Sequence, residues 1–186
     1  MPTGDGDRMT MTLEAFADTI IPGEKRGSDD HAIAGATTGP GAVASGAIEV
    51  LEMRAPGLAA GLAGFADRLN EHATAYSRKH GLRFGGALPP FVALPFSHRT
   101  NLVFELTAPD HAEKDGWVLL ALFSNMAFDT APHLHTVEAL ESGHPGLTTL
   151  GFAPPDSDGL WRFPRFSYGR RLARRHPDTT PSGSPA

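Results

Sequence analysis

The 186-residue sequence contains no cysteine. Disulfides, iron–sulfur clusters, thiolate zinc sites and cysteine nucleophiles are therefore excluded. Large aromatics other than phenylalanine are scarce. Two Trp and two Tyr stand beside 11 Phe, so aromatic packing rests on Phe. No stretch approaches the ~20 apolar residues of a membrane span. Met1 to Asp7 is polar, and the apolar run of a signal peptide does not follow it. Cytoplasm is the expected compartment. Catalytic signatures are missing as well. There is no G-x-S-x-G nucleophile elbow, no G-x-G-x-x-G turn and no phosphate loop with its lysine.

What is present suits one folded domain. Hydrophobic residues make up 40% and charged residues 20% of a chain long enough to bury a core. The 21 Gly and 16 Pro predict a helical body interrupted by many loops. The net charge of −5 is unevenly spread. Residues 162–186 hold six arginines against one acid, a balance of +5, while residues 1–161 hold 10 basic and 20 acidic residues, a balance of −10.

Apolar periodicity predicts about six helices and a mainly α fold. A first helix over Thr12–Ile20 follows from Leu13, Phe16, Ala17 and Ile20 at i, i+3, i+4 and i+7, with Thr12 as cap and Pro22 as stop. Residues 24–39 are polar and read as a surface loop. A second helix, Gly41–Met53, is rich in Ala and Gly, which suits a central, closely packed position. The third, Leu58–Lys79, carries a seam of Leu58, Leu62, Phe65, Leu69, His72 and Tyr76 and ends at His80-Gly81. Phe91 to Pro95 is expected to be extended. Ser97 can cap a fourth helix bearing Leu102, Val103 and Leu106. Asp110-His111-Ala112-Glu113 fits a capping box opening a fifth, whose Trp117, Leu120, Ala121, Ser124 and Phe128 predict a buried central helix. A short sixth helix covers Thr136–Ser142. Residues 1–150 thus form the helical domain, 151–177 an extended aromatic and arginine-rich arm, and 178–186 a flexible terminus.

Nine histidines raise the question of a metal. His133 and His135 flank one residue in a loop. His72 and His80 lie two turns apart on one helix, ~12 Å along its axis, too far to share an ion. Glu141 and His144 have the i, i+3 spacing of di-iron helices, but Pro145 ends the helix there and no second copy exists. No metal ligand is assigned. Ser97 and His98 are adjacent, which is not a triad arrangement. The arm interleaves Trp161, Arg162, Phe163, Arg165, Phe166 and Tyr168, followed by Arg170 and Arg171. These types are enriched at interface hot spots. Nucleic acid is disfavoured as a partner because the rest of the chain is acidic.

The segment Leu13-Glu14-Ala15-Phe16-Ala17-Asp18-Thr19-Ile20-Ile21-Pro22-Gly23 resembles the start of the gluconate 2-dehydrogenase subunit 3 family. Gly39-Pro40-Gly41-Ala42 and Phe91-Val92-Ala93-Leu94 continue the likeness, and the arm looks nearer to a group of actinobacterial relatives. The resemblance implies a non-catalytic small subunit that binds and stabilises a flavoprotein of the glucose–methanol–choline oxidoreductase type. No cofactor is then expected on this chain, with FAD in the partner. Members of the family serve membrane-associated or periplasmic dehydrogenases. This chain lacks their twin-arginine export signal, so a cytoplasmic partner is the simpler expectation, with secondary metabolism as a setting.

Three roles follow as expectations. The first is that accessory subunit, with the first three helices and the arm forming much of the interface and the arm's aromatic residues as anchors. The second is a free-standing enzyme on a small apolar or polyketide-like substrate, with a pocket between the third and fifth helices and His72, Tyr76 or Asp129 as acid–base groups. The third is a homodimer with the arm crossing to the acidic face of a second copy.

Overall fold

The computed structural model describes residues 4–33, 35–54 and 57–152, together with Pro154 and Asp178. The chain divides after Phe152, and every helix described below lies in the compact unit Met1–Phe152. Apart from 151, 152 and 154, the predicted arm lies outside the described residues. So do all of its named anchors: Trp161, Arg162, Phe163, Arg165, Phe166, Tyr168, Arg170 and Arg171.

The fold is mainly α. Eight helices occur among the described residues, and no strand. They are α1 (Asp5–Ile20), α2 (Ala47–Glu52), α3 (Leu62–Lys79), α4 (Pro90–Ala93), α5 (Phe96–Thr107), α6 (Lys114–Asp129), α7 (Thr136–Glu141) and α8 (Pro145–Thr149). A 3-10 turn, Ala59–Gly61, leads into α3. No described helix is long and apolar enough to cross a membrane.

The core forms where α1, α3, α4, α5 and α6 meet. Phe16, Phe91 and Trp117 are fully buried, with ring centroids 6.3 Å (Phe16–Phe91) and 6.4 Å (Phe16–Trp117) apart. Leu13, Leu62, Leu69, Leu102, Leu106 and Leu120 close around them. Each buried leucine contributes about 1.5–3 kcal/mol of transfer free energy. The side chain of Asn70 fastens three helices at once. Its Nδ2 donates to Thr12 Oγ1 at 3.1 Å, and its Oδ1 accepts from the Phe91 amide at 3.0 Å.

Several boundaries differ from the sequence expectation, each for a local reason. Helix α1 starts at Asp5 instead of Thr12, because the Gly4 amide donates to the Asp7 carboxylate at 3.2 Å and so secures an earlier first turn. Thr12 is then interior, its hydroxyl donating to the Arg8 carbonyl. Helix α2 is half the expected length. Residues 42–46 form turns that end at Gly46, whose φ of 89° no β-carbon tolerates easily. The second segment does pack closely, as its composition suggests. A β-carbon on Gly23 would run into the backbone of Gly41, so the two backbones lie in close contact. Phe91 and Val92 are buried on the one-turn helix α4, where an extended segment was expected. Pro90 in its first turn favours a helical start. Helix α6 packs against α1, α2, α5 and α8, which makes it central, yet Val118 and Leu122 remain about half exposed on its outer side. Residues 145–149, beyond the last predicted helix, make the extra turn α8. The stop of α3 matches expectation: Gly81 has φ 66° and the Leu82 amide reaches back to the Ser77 carbonyl.

Two arginines hold the long loop between α1 and α2. Arg26 makes paired hydrogen bonds to Asp18, at 2.9 and 3.3 Å, and an ion pair with Asp30 at 2.8 Å. Burial raises the pKa of Asp18 against the pull of Arg26. For Asp30 burial also pushes upward, but hydrogen bonds from Arg26 and nearby amides outweigh it, and its pKa is lowered. Arg99 on α5 is wholly buried. It donates to the carbonyls of Leu94 (3.0 Å), His31 (3.3 Å), Ala32 and Val92. Burial lowers its pKa to about 10, with Asp18 and Asp30 acting to keep it charged. The Asp18 of the family-like segment is therefore a structural residue.

Two outcomes follow. Arg99→Ala leaves buried carbonyls without a donor and opens a cavity, and should cost about 3–5 kcal/mol in urea unfolding. A loss under 1 kcal/mol would show that the guanidinium is dispensable. Asp30 has a lowered folded pKa, so its stabilisation is present above its unfolded value, ~3.9, and is lost as pH falls through the folded value. The stability gap between wild type and Asp30→Asn should be widest near neutrality and close on acidification. A gap independent of pH would contradict the ion pair.

Candidate functional site

The most chemically dense region lies where the middle of α3 meets the loop before α6. Helix α3 presents His72 there because its seam places Phe65, Leu69, His72 and Tyr76 on the inward side. The loop between α5 and α6 turns through residues 108–113, with the His111 amide bonded to the Ala108 carbonyl. That turn brings His111 and Glu113 opposite His72.

Glu113 sits at the start of α6, but its carboxylate does not cap that helix as a capping box requires. It turns sideways instead. Glu113 Oε2 accepts from His72 Nε2 at 2.7 Å and from Trp117 Nε1 at 3.3 Å. Arg68 Nε lies 3.7 Å from Glu113 Oε1. The hydrogen bond from His72 is the main reason the pKa of Glu113 is lowered, and the Trp117 indole and the Arg68 charge add to it. His111 Nδ1 accepts from the Glu113 amide at 3.2 Å, and the His72 and His111 rings meet edge to face at 5.6 Å. His72 also packs against Trp117, at 5.8 Å.

Beyond His72 the same face continues into a cleft of about 180 Å³ lined by His72, Tyr76, Leu102, Glu105 and His111. Tyr76 Oη lies 3.2 Å from His98 Nδ1, and its ring stacks on His80 at 4.1 Å. Four histidines from three segments thus gather around Tyr76 and Glu113.

The sequence-predicted acid–base residues are partly united here. His72 and Tyr76 line one cleft, but Asp129 does not join them. It lies at the far end of α6, 12 residues past Trp117 and so ~18 Å along the axis. There it accepts from Asn125 Nδ2 at 2.7 Å. The pocket expected between the third and the predicted fifth helix, which are α3 and α6, is filled, because Phe65 and His72 pack on Trp117 at that contact. The cleft lies instead between α3 and α5. At 180 Å³ it falls below the range of ~300–1,000 Å³ typical of drug-sized ligand pockets.

Sequence reasoning placed His111 and Glu113 in a capping box and Trp117 in a core helix, and assigned neither these three nor Arg68 to a site. Glu113 lies 41 residues from His72, and no local spacing links them. The one available signal was a capping-box acid that a competing partner could claim. His144, read for its spacing to Glu141, has a structural role. Its Nε2 contacts the Ser45 carbonyl at 3.0 Å and its Nδ1 accepts from the Leu147 amide, opening α8.

A second feature runs along a neighbouring side of α3, with Ala75 lining both it and the cleft. A groove of about 870 Å³ lies between α3 and the start of α1, floored by Ala63, Ala66 and Thr74 and edged by Arg8, Asp67 and Arg78. Phe104, the most exposed large apolar residue among those described, stands 70% exposed on α5.

Trp117→Phe tests how the cluster is held. It keeps an aromatic ring but removes the N–H that holds Glu113, and should cost about 1–3 kcal/mol of stability. Adding Glu113→Gln should then cost less than Glu113→Gln does alone. Strict additivity in this double-mutant cycle would show that the two side chains act independently.

No curated protein and no solved structure matches this chain. A family model does, from residue 7 to residue 186, so the match takes in both the helical unit and the segment beyond it. The chain belongs to the family of unknown function DUF5987.

Proposed function

We propose that this protein is a non-catalytic accessory subunit that binds and stabilises a flavin-dependent oxidoreductase of the glucose–methanol–choline type. The observation that carries the reading is the groove between α1 and α3. It is partly open, and the small side chains of Ala63, Ala66, Thr74 and Ala75 share its lining with Arg8, Asp67, Glu71 and Arg78. Ala63 and Arg78 are 15 residues apart on α3, about 22 Å, or four helical turns. That shape suits an elongated partner segment such as a helix laid along it. The groove lies between α3 and the start of α1, at Gly6, Arg8 and Met9, on two of the three helices expected to share the interface. The exposed Phe104, and the exposed edge of α6 at Val118 and Leu122, add apolar surface of the kind interfaces use.

On this reading the FAD belongs to the partner, and Trp161, Arg162, Phe163, Arg165, Phe166, Tyr168, Arg170 and Arg171 add aromatic anchors and guanidiniums that pair with carboxylates. A cytoplasmic partner in secondary metabolism is the simplest setting. The reading as a free-standing enzyme keeps one supporting observation, the convergence of His72, Tyr76 and His111 on a cleft. That cleft is too small for a polyketide-like substrate.

Co-expression with a flavoprotein encoded beside it should raise the soluble yield or flavin content of that flavoprotein, and the two should co-purify. Trp161→Ala combined with Arg162→Ala should weaken the complex while leaving the helical circular dichroism intact. Unchanged yield and no co-purification would remove the proposal. A stable dimer of this chain alone, loosened by salt, would favour the homodimer instead.

A further inference from the structure

We propose that His72, His111 and Glu113 form a binding site for one divalent transition-metal ion of the zinc class, with a fourth position open to the adjoining cleft. The proposal is independent of the accessory role and does not rest on it.

One ligand atom from each of the three residues lies within 4.8 Å of the other two. In a tetrahedral zinc site, with metal–ligand distances near 2.0–2.2 Å, ligand atoms stand about 3.3 Å apart. His72 Nε2 and Glu113 Oε2, now 2.7 Å apart, would open slightly to admit the ion between them. The remaining separations would close by rotations of side chains that are half-buried, not locked in the core.

The donor set is chemically apt. Two neutral imidazoles and one carboxylate form a mixed nitrogen and oxygen set that zinc takes in three-ligand sites, leaving a water in the fourth place. The three side chains come from two separate segments, so a bound ion would tie α3 to the loop before α6. His111 keeps the Nδ1 lone pair directed at the Glu113 amide at 3.2 Å. Ligation through Nδ1 therefore exchanges one long hydrogen bond for a metal bond.

The surroundings are also arranged as outer-shell groups commonly are. Trp117 Nε1 orients the Glu113 carboxylate from the buried side. Arg68 approaches the other oxygen, but it is 45% exposed and stacks over Phe65 at 4.8 Å, so it can withdraw toward solvent as the ion's charge arrives. Glu105 lines the same cleft and adds negative potential there, partly offset by Lys79 at 3.5 Å. His72 and His111 both line this cleft, which places the open position on its wall.

The full-length protein, stripped with a chelator and dialysed, would be titrated with zinc sulfate by calorimetry and with cobalt(II) by visible absorption. One equivalent should bind with an enthalpy change, and cobalt should give the intense bands of a four-coordinate ion. Azide should perturb those bands through the open position. His111→Ala, on the loop, and Glu113→Gln should each weaken binding at least ~10-fold, the lower bound for disturbing even an outer-shell group. His135→Ala, at an exposed histidine outside the cluster, should bind as wild type. Circular dichroism separates loss of a ligand from loss of fold, and His111→Asn provides a milder second variant. Absence of binding would overturn the site. So would binding that persists unchanged in both His111→Ala and Glu113→Gln, since other histidines would then hold the ion. A cobalt spectrum indifferent to azide would overturn the open fourth position.

Discussion

The indole of Trp117 is fully buried, and its N–H must find an acceptor there or lose its hydrogen bond to water without replacement. It finds the carboxylate of Glu113, four residues earlier at the N-terminal boundary of α6. That one requirement links the core to the polar cluster. The ring of Trp117 meets Phe16 from α1 and Phe65 and His72 from α3. The polar edge draws Glu113 away from helix capping and toward His72. An apolar body and a polar tip in one side chain thus set both how the helices pack and where the polar cluster stands.

The rest of the architecture keeps that arrangement in place. Arg99 and Arg26 restrain the long polar loop. Arg99 does so by satisfying backbone carbonyls from two segments, and Arg26 by pairing with Asp18 and Asp30. Burying a guanidinium is costly, and the cost is offset because its donors meet carbonyls and the field of two nearby carboxylates favours its charge. The segment that resembles the accessory-subunit family is explained by this role: its aspartate anchors a loop, and its apolar residues face the core. Helix α3 thus borders two distinct features, the groove shared with the start of α1 and the histidine cluster shared with the loop before α6.

Much of the fold was legible in the sequence because it depends on local periodicity. The seams of α1 and α3 name Leu13, Phe16, Leu62 and Leu69, all buried. The stop at Gly81 follows from the need for a positive φ. Boundaries were less legible wherever a short contact competed with propensity. Asp7 extends α1 by holding the Gly4 amide, Gly46 cuts α2 short, and Pro90 helps convert an expected extended segment to a helical turn.

By itself, then, the sequence determined the helical class, the main core faces and the lack of any cysteine chemistry, since these follow from residue type and spacing along one chain. It also concentrated positive charge beyond residue 161. Only the tertiary structure decided which polar residues meet. His72 joins His111 and Glu113 across 41 residues, while Asp129 stays at the other end of α6. The reason is geometric. A side chain's direction within a helix is set by a period of 3.6 residues, but its partner on another element is set by how a loop turns and by which acceptor a buried donor demands.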